Sequence, residues 1–231
     1  MDPKVFPKNF LWGASMSSHQ VEGGTVNQWS EWELAHAKQL ARGAAKKLSW
    51  VPAWRDIRAQ AQDPDNYVSG RAVEHVRRYE TDFDIAHKLH FNSLRVGIEW
   101  ARLQPEEGAW DLRAIRHYHR YLKAMRERGL EPILTLWHWT EPVWFAKKGG
   151  FAKKANVSYF EQFVKKVAEE YGDEVRFVIT LNEPNVYTVF GYLTGEWPPQ
   201  QKSALTAVKV YRNLVRAHRQ AYKILKQVRP A

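Results

Sequence analysis

One carboxylate in the sequence stands where acid–base chemistry would need it. The apolar run Val175–Leu181 is followed directly by Asn182 and Glu183, and Pro184 comes next. An apolar run of this length is typical of a buried strand, so the polar pair lies at the end of that strand. A glutamate in such a position can protonate a leaving group or activate water. The sequence therefore predicts a carboxylate presented for chemistry.

Polar and aromatic side chains also accompany three other apolar runs. Gln20 follows the first run, Arg95 lies within the second, and His138 and Trp139 end the third. Amide and imidazole groups hydrogen-bond hydroxyls, and aromatic faces stack on flat, partly apolar ligands such as sugars. Together these side chains predict a site for a polyhydroxylated substrate.

The elements that must position these residues alternate along the chain. Strand-like runs cover 9–15, 91–100, 131–139 and 174–183, and the last three have the Val, Ile, Leu and Thr content of strands buried on both faces. Strands that alternate with helices indicate parallel βα units, whose working residues lie at the carboxyl ends of the strands.

Apolar residues recur at steps of three and four between these runs, which predicts helices. Gly129 and Gly172 are each expected to end one of these helices, and Asn156 is expected to cap the helix that Gly172 ends. A last helix is expected over 203–228. We interpret residues 1–231 as one α/β domain in which 34–65 form a helical insertion after strand one. A (β/α)₈ barrel typically takes about 250 residues. By length the chain could be a small barrel, but only four strands are found and not eight, so by count it is not.

Composition excludes several classes of protein. The chain has 231 residues, 44% of them hydrophobic, and no cysteine, which rules out disulfides and thiolate metal sites. No apolar run is long enough to cross a membrane, and the first residues have no signal-peptide core, so a cytoplasmic protein is expected. The net charge of +10 is interpreted as a solvated basic surface rather than a nucleic-acid site. Neither a metal nor a nucleotide cofactor is expected.

Five segments in order resemble the N-terminal half of glycoside hydrolase family 1, the β-glucosidase and β-galactosidase family. These segments are FPKNFLWGASMSSHQVEG, NQWSEWE, YETDFDIAHKLHFNSLRVGIEWARLQP, LTLWHWTEPVW and FVITLNEPN. The resemblance runs from Phe6 to the final helix. It implies a (β/α)₈ barrel fold, of which the chain holds about the first four units, and a retaining β-glycosidase that hydrolyses terminal β-linked glucosyl or galactosyl residues.

The resemblance also implies roles for the residues at the strand ends. Glu183 is the expected general acid/base, and Asn182 is expected to hydrogen-bond the sugar 2-hydroxyl. The sugar is expected to be held by Gln20, His138 and Trp139. Arg95 is expected to orient and stabilise the second carboxylate, the nucleophile that a retaining glycosidase requires.

The nucleophile itself is not expected in this chain. In the family it belongs to a Thr/Ile-Glu-Asn-Gly motif on strand seven, whereas no Glu in this sequence is followed by Asn. Arg95 could then pair with Glu99 instead. Glu99 and Glu141 are interpreted as supporting residues rather than substitute nucleophiles, Glu22 as a brace for its loop, and Trp197 as loop packing.

A half barrel leaves its first and fourth strands as open edges, which invite association. One hypothesis is a split enzyme, in which a separate chain supplies the remaining strands and the nucleophile. A second is an inactive fragment. A third is a non-catalytic sugar-binding or assembly module in which two copies close a pseudo-barrel by two-fold symmetry.

Overall fold

Four parallel strands form one sheet in the computed structural model, which describes residues 5–228. The strands are β1 (Gly13–Ser15), β2 (Ser93–Gly97), β3 (Glu131–Thr135) and β4 (Phe177–Ile179). Their order in the sheet is their order in the sequence, and every pair is parallel. The four predicted βα units are therefore confirmed.

The helices alternate with the strands along the chain. They are α1 (Ser18–Val21), α2 (Gln28–Leu48), α3 (Trp54–Ala61), α4 (His75–Lys88), α5 (Trp100–Leu103), α6 (Leu112–Glu127), α7 (Val143–Lys147), α8 (Val157–Tyr171), α9 (Pro184–Thr188) and α10 (Ala204–Val228). Short 3₁₀ turns cover Pro64–Tyr67, Gly150–Ala152, Lys154–Asn156 and Gly172–Glu174, and a π-helical turn covers Val189–Leu193. Most of the predicted insertion lies in α2 and α3. No helix within residues 5–228 is long and apolar enough to cross a membrane.

The strands are shorter than the sequence predicts, and only the central two are well buried. β2 and β3 are mostly buried, whereas β4 is half-buried and β1 is exposed, so the prediction of full burial is wrong for β4. The reason is position, because β4 lies at an edge of the sheet and has one neighbour. Beyond β2 and β3 the apolar runs continue in buried segments, at Ile98 and at Leu136 and Trp137.

Side chains alternate between the two faces of the sheet. Leu94, Val96 and Leu134 point toward the helices and belong to the main hydrophobic core. Arg95 and Thr135 lie on the opposite face, where the Nε of Arg95 donates to the hydroxyl of Thr135 over 2.9 Å. The face opposite this core is therefore the face that carries the polar site residues.

Helix boundaries largely follow the predicted signals. α6 ends two residues before Gly129, which has a φ of +69°, α8 ends directly before Gly172, and α10 begins one residue after the predicted start. Asn156 occupies the N-cap position of α8, as predicted, but its side chain makes no capping hydrogen bond. Its amide instead donates to the carbonyls of Lys148 and Gly150. Buried carbonyls of the preceding turn need that donor, so tertiary contacts override the local cap.

An apolar groove of about 730 Å³ lies beside the open edge of β4. Its walls include Val178 of β4, Tyr171 of α8 and Leu214 of α10. Next to it, α10 exposes Tyr211 and Tyr222. The groove thus extends along the side of the sheet where a fifth strand would pair.

Candidate active site

Asn182 is the centre of a hydrogen-bonded cluster at the carboxyl ends of the strands. Its Oδ1 accepts from a terminal nitrogen of Arg95 at 2.5 Å, and its Nδ2 donates to Nε2 of His138 at 3.0 Å. Its backbone N–H donates to the carbonyl of Trp137 at 2.9 Å. The residue is only 6% exposed, so these bonds fix the amide in one orientation. Three strands thus contribute to a single polar cluster, as their parallel arrangement predicts.

The same contacts determine the protonation state of His138. Because Nδ2 of Asn182 is a donor, Nε2 of His138 must accept, which leaves the ring proton on Nδ1. Burial, and to a smaller extent the positive charge of Arg95, lower the pKa of His138 to about 4. The imidazole is therefore neutral at pH 7 and suited to hydrogen bonding rather than to accepting a proton.

The influence of Arg95 on His138 can be measured directly. In an Arg95→Gln variant the pKa of His138 is expected to rise from about 4 toward its usual value, because one of its two causes is removed. Burial is the larger cause, so the rise should be partial. NMR titration of the imidazole carbons would follow it, with Arg113→Gln, on the exposed side of α6, as the control. An unchanged titration curve in Arg95→Gln would show that the guanidinium does not act on the ring.

Glu183 lies directly after the cluster and is exposed to solvent. It precedes α9 with a φ of +39°, in the left-handed region that residues other than glycine rarely adopt. Pro184 occupies the first helical position, and the carbonyl of Glu183 accepts from the N–H groups of Val186 and Tyr187. Burial lowers the pKa of Arg95 while the negative charge of Glu183 opposes that shift, so the two charges interact. The backbone turn thus presents the carboxylate beside a cation.

Trp139 has an equally unusual backbone, with a φ of +74°. Its indole N–H donates to the carbonyl of Asn182 at 3.0 Å, and its own carbonyl accepts from the Gln28 side chain at 2.9 Å. Its ring lies 4.8 Å from that of Trp197. The indole is half-buried, so one part of it stays available beside the cluster.

Gln20 stands apart from the other predicted sugar-binding residues. It lies on α1, is exposed, and forms part of a second cleft together with Trp29 and Trp197. The structure therefore brings together Arg95, His138, Trp139, Asn182 and Glu183, and it places Gln20 beside this group rather than within its hydrogen-bond network.

Glu99 does not pair with Arg95, so that alternative is wrong. The carboxylate of Glu99 accepts from Thr140 at 2.9 Å and from Asn27 at 3.4 Å, while Arg95 binds Thr135 and Asn182. Burial, and then the nearby charge of Glu22, raise the pKa of Glu99. Glu99 is thus a buried carboxyl whose hydrogen bonds go to Thr140 and Asn27 and not to Arg95.

Glu22 braces its own loop. Its carboxylate accepts from Arg102 at 2.9 Å and from the hydroxyl of Tyr118 at 2.8 Å. Arg102 also donates to the carbonyl of Gly23 and to the hydroxyl of Thr25, both in the loop that follows Glu22. This buried ion pair ties the loop after β1 to the helices.

Glu141 is a buried carboxyl group behind the site. It is 2% exposed, and one of its oxygens accepts from the hydroxyl of Tyr187 at 3.0 Å. A Cβ atom on Gly150 would lie 2.6 Å from its other oxygen, so the carboxyl fills the space that this glycine leaves. Burial raises the pKa of Glu141 to about 8, only partly opposed by the hydrogen bond from Tyr187. The group is therefore mainly protonated at neutral pH.

Three residues that hold the site together are not among the predicted ones. Thr135 binds Arg95, Gln28 binds Trp139 and Glu141, and Tyr187 binds Glu141. Thr135 could have been found, because it occupies the last position of β3 on the same face as Arg95. Gln28 is 111 residues from Trp139, and no local pattern connects them. Within residues 5–228, no group of three or more His, Asp or Glu side chains is arranged to hold a metal ion.

Comparison with known proteins points to a single family. The family model for glycosyl hydrolase family 1 matches residues 2–231. Beta-glucosidase A of Thermotoga maritima is 31% identical in an alignment of 232 positions that covers 98% of this chain and 47% of the relative. A 1,4-beta-D-glucan glucohydrolase of Thermotoga neapolitana is 30% identical over 97% of this chain and 49% of its own length.

Solved structures show the same relationship. A beta-glycosidase from Pyrococcus horikoshii has 35% identity and a TM-score of 0.80, covering 97% of this chain and 47% of the other. The Thermotoga maritima beta-glucosidase in complex with glucoimidazole has 27% identity and a TM-score of 0.81, covering 98% and 48%. The chain spans about half the length of the relatives it matches, and its four-stranded parallel sheet corresponds to half of their barrel. Because the family model covers nearly the whole sequence, this protein belongs to glycosyl hydrolase family 1.

Proposed function

We propose that this chain forms the acid/base half of a retaining β-glycosidase that hydrolyses terminal β-linked glucosyl or galactosyl residues. The observation that carries the proposal is the cluster in which Asn182 joins Arg95 and His138 beside the exposed carboxylate of Glu183. The relatives include beta-glucosidases, and one of these is solved in complex with deoxynojirimycin. A cluster of amide, imidazole and indole groups is the chemistry that binds sugar hydroxyls.

In this proposal Glu183 protonates the glycosidic oxygen as the bond to the leaving group breaks. The same group, now ionised, then takes a proton from the water that releases the sugar. The amide of Asn182 hydrogen-bonds the 2-hydroxyl, and the neutral ring of His138 and the indole of Trp139 hold the sugar. Gln20 contacts it from α1.

The nucleophile must come from another polypeptide segment. A retaining mechanism needs a second carboxylate about 5–5.5 Å from the first, and no Glu-Asn pair occurs in this sequence. Glu99 and Glu141 are buried and already engaged, which argues against either as a substitute. Arg95 would orient and stabilise the incoming carboxylate. The groove beside β4 is where we place the first strand of that segment.

A second candidate is a non-catalytic sugar-binding module. Two copies could pair at their open sheet edges and close a pseudo-barrel by two-fold symmetry. In that arrangement β3 of the second copy would occupy the position of strand seven, and it would present His138 instead of a nucleophile. Such a dimer would bind sugar without hydrolysing it. An inactive fragment would do neither.

Mixing the chain with a complementary half separates these candidates. The partner is the remaining part of Thermotoga maritima beta-glucosidase A, beyond the part that this chain matches. Hydrolysis of 4-nitrophenyl β-D-glucoside is expected in the mixture at a rate at least about 100-fold above either chain alone, since both carboxylates are then present. Turnover by this chain alone at the rate of the mixture would contradict the proposal. Sugar binding by a stable dimer without turnover in the mixture would favour the second candidate.

A further inference from the structure

The side chain of Gln28 connects the first residue of α2 to the loop after β3. Gln28 is half-buried, and its Nε2 donates to the carbonyl of Trp139 at 2.9 Å. Its Oε1 accepts from the backbone N–H of Glu141. Its own backbone N–H, which as the first of α2 has no partner within the helix, donates to the carbonyl of Glu141 at 3.0 Å. One residue thus forms three hydrogen bonds to the segment 139–141.

These contacts use both ends of the side-chain amide. The oxygen accepts from an N–H group and the nitrogen donates to a carbonyl, so the same side chain satisfies two backbone groups of the loop. In a Gln28→Glu variant the ionised carboxylate can still accept from Glu141, but it has no proton for the carbonyl of Trp139. In Gln28→Met the side chain keeps its length and offers neither group. The donor of Gln28 can therefore be removed without its acceptor.

The loop needs such a partner because of its backbone. Trp139 has a φ of +74°, a conformation that residues other than glycine rarely adopt and that persists only where the surroundings hold it. The next residue, Thr140, is anchored through its hydroxyl, which donates to the buried Glu99 at 2.9 Å. Gln28 binds the peptide group on each side of this anchored residue. The capping box at the start of α2 fixes the turn from which Gln28 reaches the loop.

The same loop holds the peptide bond that carries the proposed acid/base residue. The indole N–H of Trp139 donates to the carbonyl of Asn182 at 3.0 Å, and this carbonyl belongs to the peptide bond between Asn182 and Glu183. The backbone of Glu183 also lies in the left-handed region, with a φ of +39°. Within residues 5–228, Gln28 has no hydrogen bond to Asn182 or Glu183, so its influence on them passes through Trp139.

We infer that Gln28 is a positioning residue of the proposed acid/base site. It holds the backbone of Trp139, and the indole of Trp139 in turn holds the peptide bond that carries Glu183. The inference rests on the proposed function and deepens it, since it assigns to the start of α2 a part in placing the proton donor. A residue that only stabilised the fold would change the free energy of unfolding and leave turnover by the folded protein unchanged.

Kinetics of the mixture with the complementary half test the inference through the donor of Gln28. At pH 7, Gln28→Glu is expected to lower kcat/KM for 4-nitrophenyl β-D-glucoside about tenfold relative to the unsubstituted mixture, because the hydrogen bond to the carbonyl of Trp139 is lost. The loss should shrink as the pH is lowered to 4.5, since the carboxyl then gains a proton that it can donate. Comparison with the unsubstituted mixture at each pH removes the pH dependence that both share.

Two further variants complete the test. Gln28→Met is expected to lower kcat/KM at least about tenfold at pH 7 and at pH 4.5, because its side chain has neither a donor nor an ionisable group. The matched control is Gln39→Glu, which introduces the same charge on the exposed side of α2 and should follow the unsubstituted chain at both pH values. Urea-induced unfolding of each variant shows whether it is folded under the assay conditions.

The outcomes distinguish this inference from the proposed function. If the unsubstituted mixture hydrolyses the glucoside and both folded Gln28 variants match it at each pH, the inference is overturned and the proposed function stands. A loss in Gln28→Glu that is the same at pH 7 and pH 4.5 would show that the donor of Gln28 does not place the site, and it would overturn the inference as well. Absence of turnover in the unsubstituted mixture overturns the proposed function, and the role of Gln28 with it.

Discussion

The Glu141→Gln variant is expected to be about 3 kcal/mol more stable than the unsubstituted chain at pH 7, with the difference vanishing near pH 4. Burial raises the pKa of Glu141 in the folded protein from the ordinary value of 4.5 to about 8. The folded state therefore binds this proton more tightly than the unfolded state does. Stability contributed by the protonated carboxyl is fully present below pH 4.5 and is lost as the pH rises toward 8.

Glutamine reproduces the protonated carboxyl without its ionisation. Its carbonyl can accept from Tyr187, and its size still fits against Gly150. The titratable groups that face Glu141 are Tyr187 and Tyr192, and burial raises the pKa of both further above neutrality, so neither supplies a compensating charge. The cost of ionising an unpaired buried carboxyl is the reason for the expected effect.

Urea-induced unfolding at pH 4, 7 and 9 would measure the difference. Glu169→Gln is the matched control, because Glu169 is about half exposed and forms only a surface pair with Lys165. Surface pairs of this kind contribute roughly 0–1 kcal/mol, so the control should follow the unsubstituted chain at each pH. If the free energy of unfolding of Glu141→Gln changed with pH in the same way as that of the control, the prediction would be contradicted. Glu141 would then be ionised in the folded protein at pH 7.

Glu183→Ala is expected to lower kcat/KM of the reconstituted mixture by about 10²–10⁴ for a substrate whose leaving group needs a proton. For 2,4-dinitrophenyl β-D-glucoside the loss in the first chemical step should be much smaller, because that leaving group departs without protonation. Added azide should then raise the turnover rate, since an anionic nucleophile needs no general base to attack the glycosyl intermediate. Steady-state kinetics with both substrates would measure each effect.

The control for this variant is Glu127→Ala, in which an exposed carboxylate paired with Lys123 on α6 is removed instead. It should leave both rates unchanged. Equal losses for the two substrates in Glu183→Ala, without recovery in azide, would mean that Glu183 has a role in binding or folding and does not transfer the proton.

Much of the fold was predictable because its signals are local. The apolar runs and the helical periodicity between them predicted four βα units in the observed order, and Gly129 and Gly172 marked the ends of two helices. The lengths of the strands were not predictable, because a segment forms a strand only where an adjacent strand hydrogen-bonds with it. The apolar character of the run ending at Trp137 reflects a buried loop as much as a strand.

The candidate site, too, could be predicted only in part from the sequence. Its members could be named from the sequence because the ends of parallel strands converge, and Arg95, His138, Asn182 and Glu183 do lie together. The partner of Arg95 could not be chosen in advance. The guanidinium of Arg95 donates to Asn182 and Thr135. The carboxylate of Glu99, four residues further along the chain, instead accepts a hydrogen bond from Thr140.

The sequence by itself determined the family, the parallel βα order and the identity of the proposed acid/base residue. Those properties depend on periodicity and on motifs contained within single segments. Only the tertiary structure decided that His138 is neutral with its proton on Nδ1, that Glu141 is a protonated buried acid, and that α2 brings Trp29 and Trp32 beside Trp197. Each of these depends on burial or on contacts between distant segments, and such contacts form only when the chain has folded.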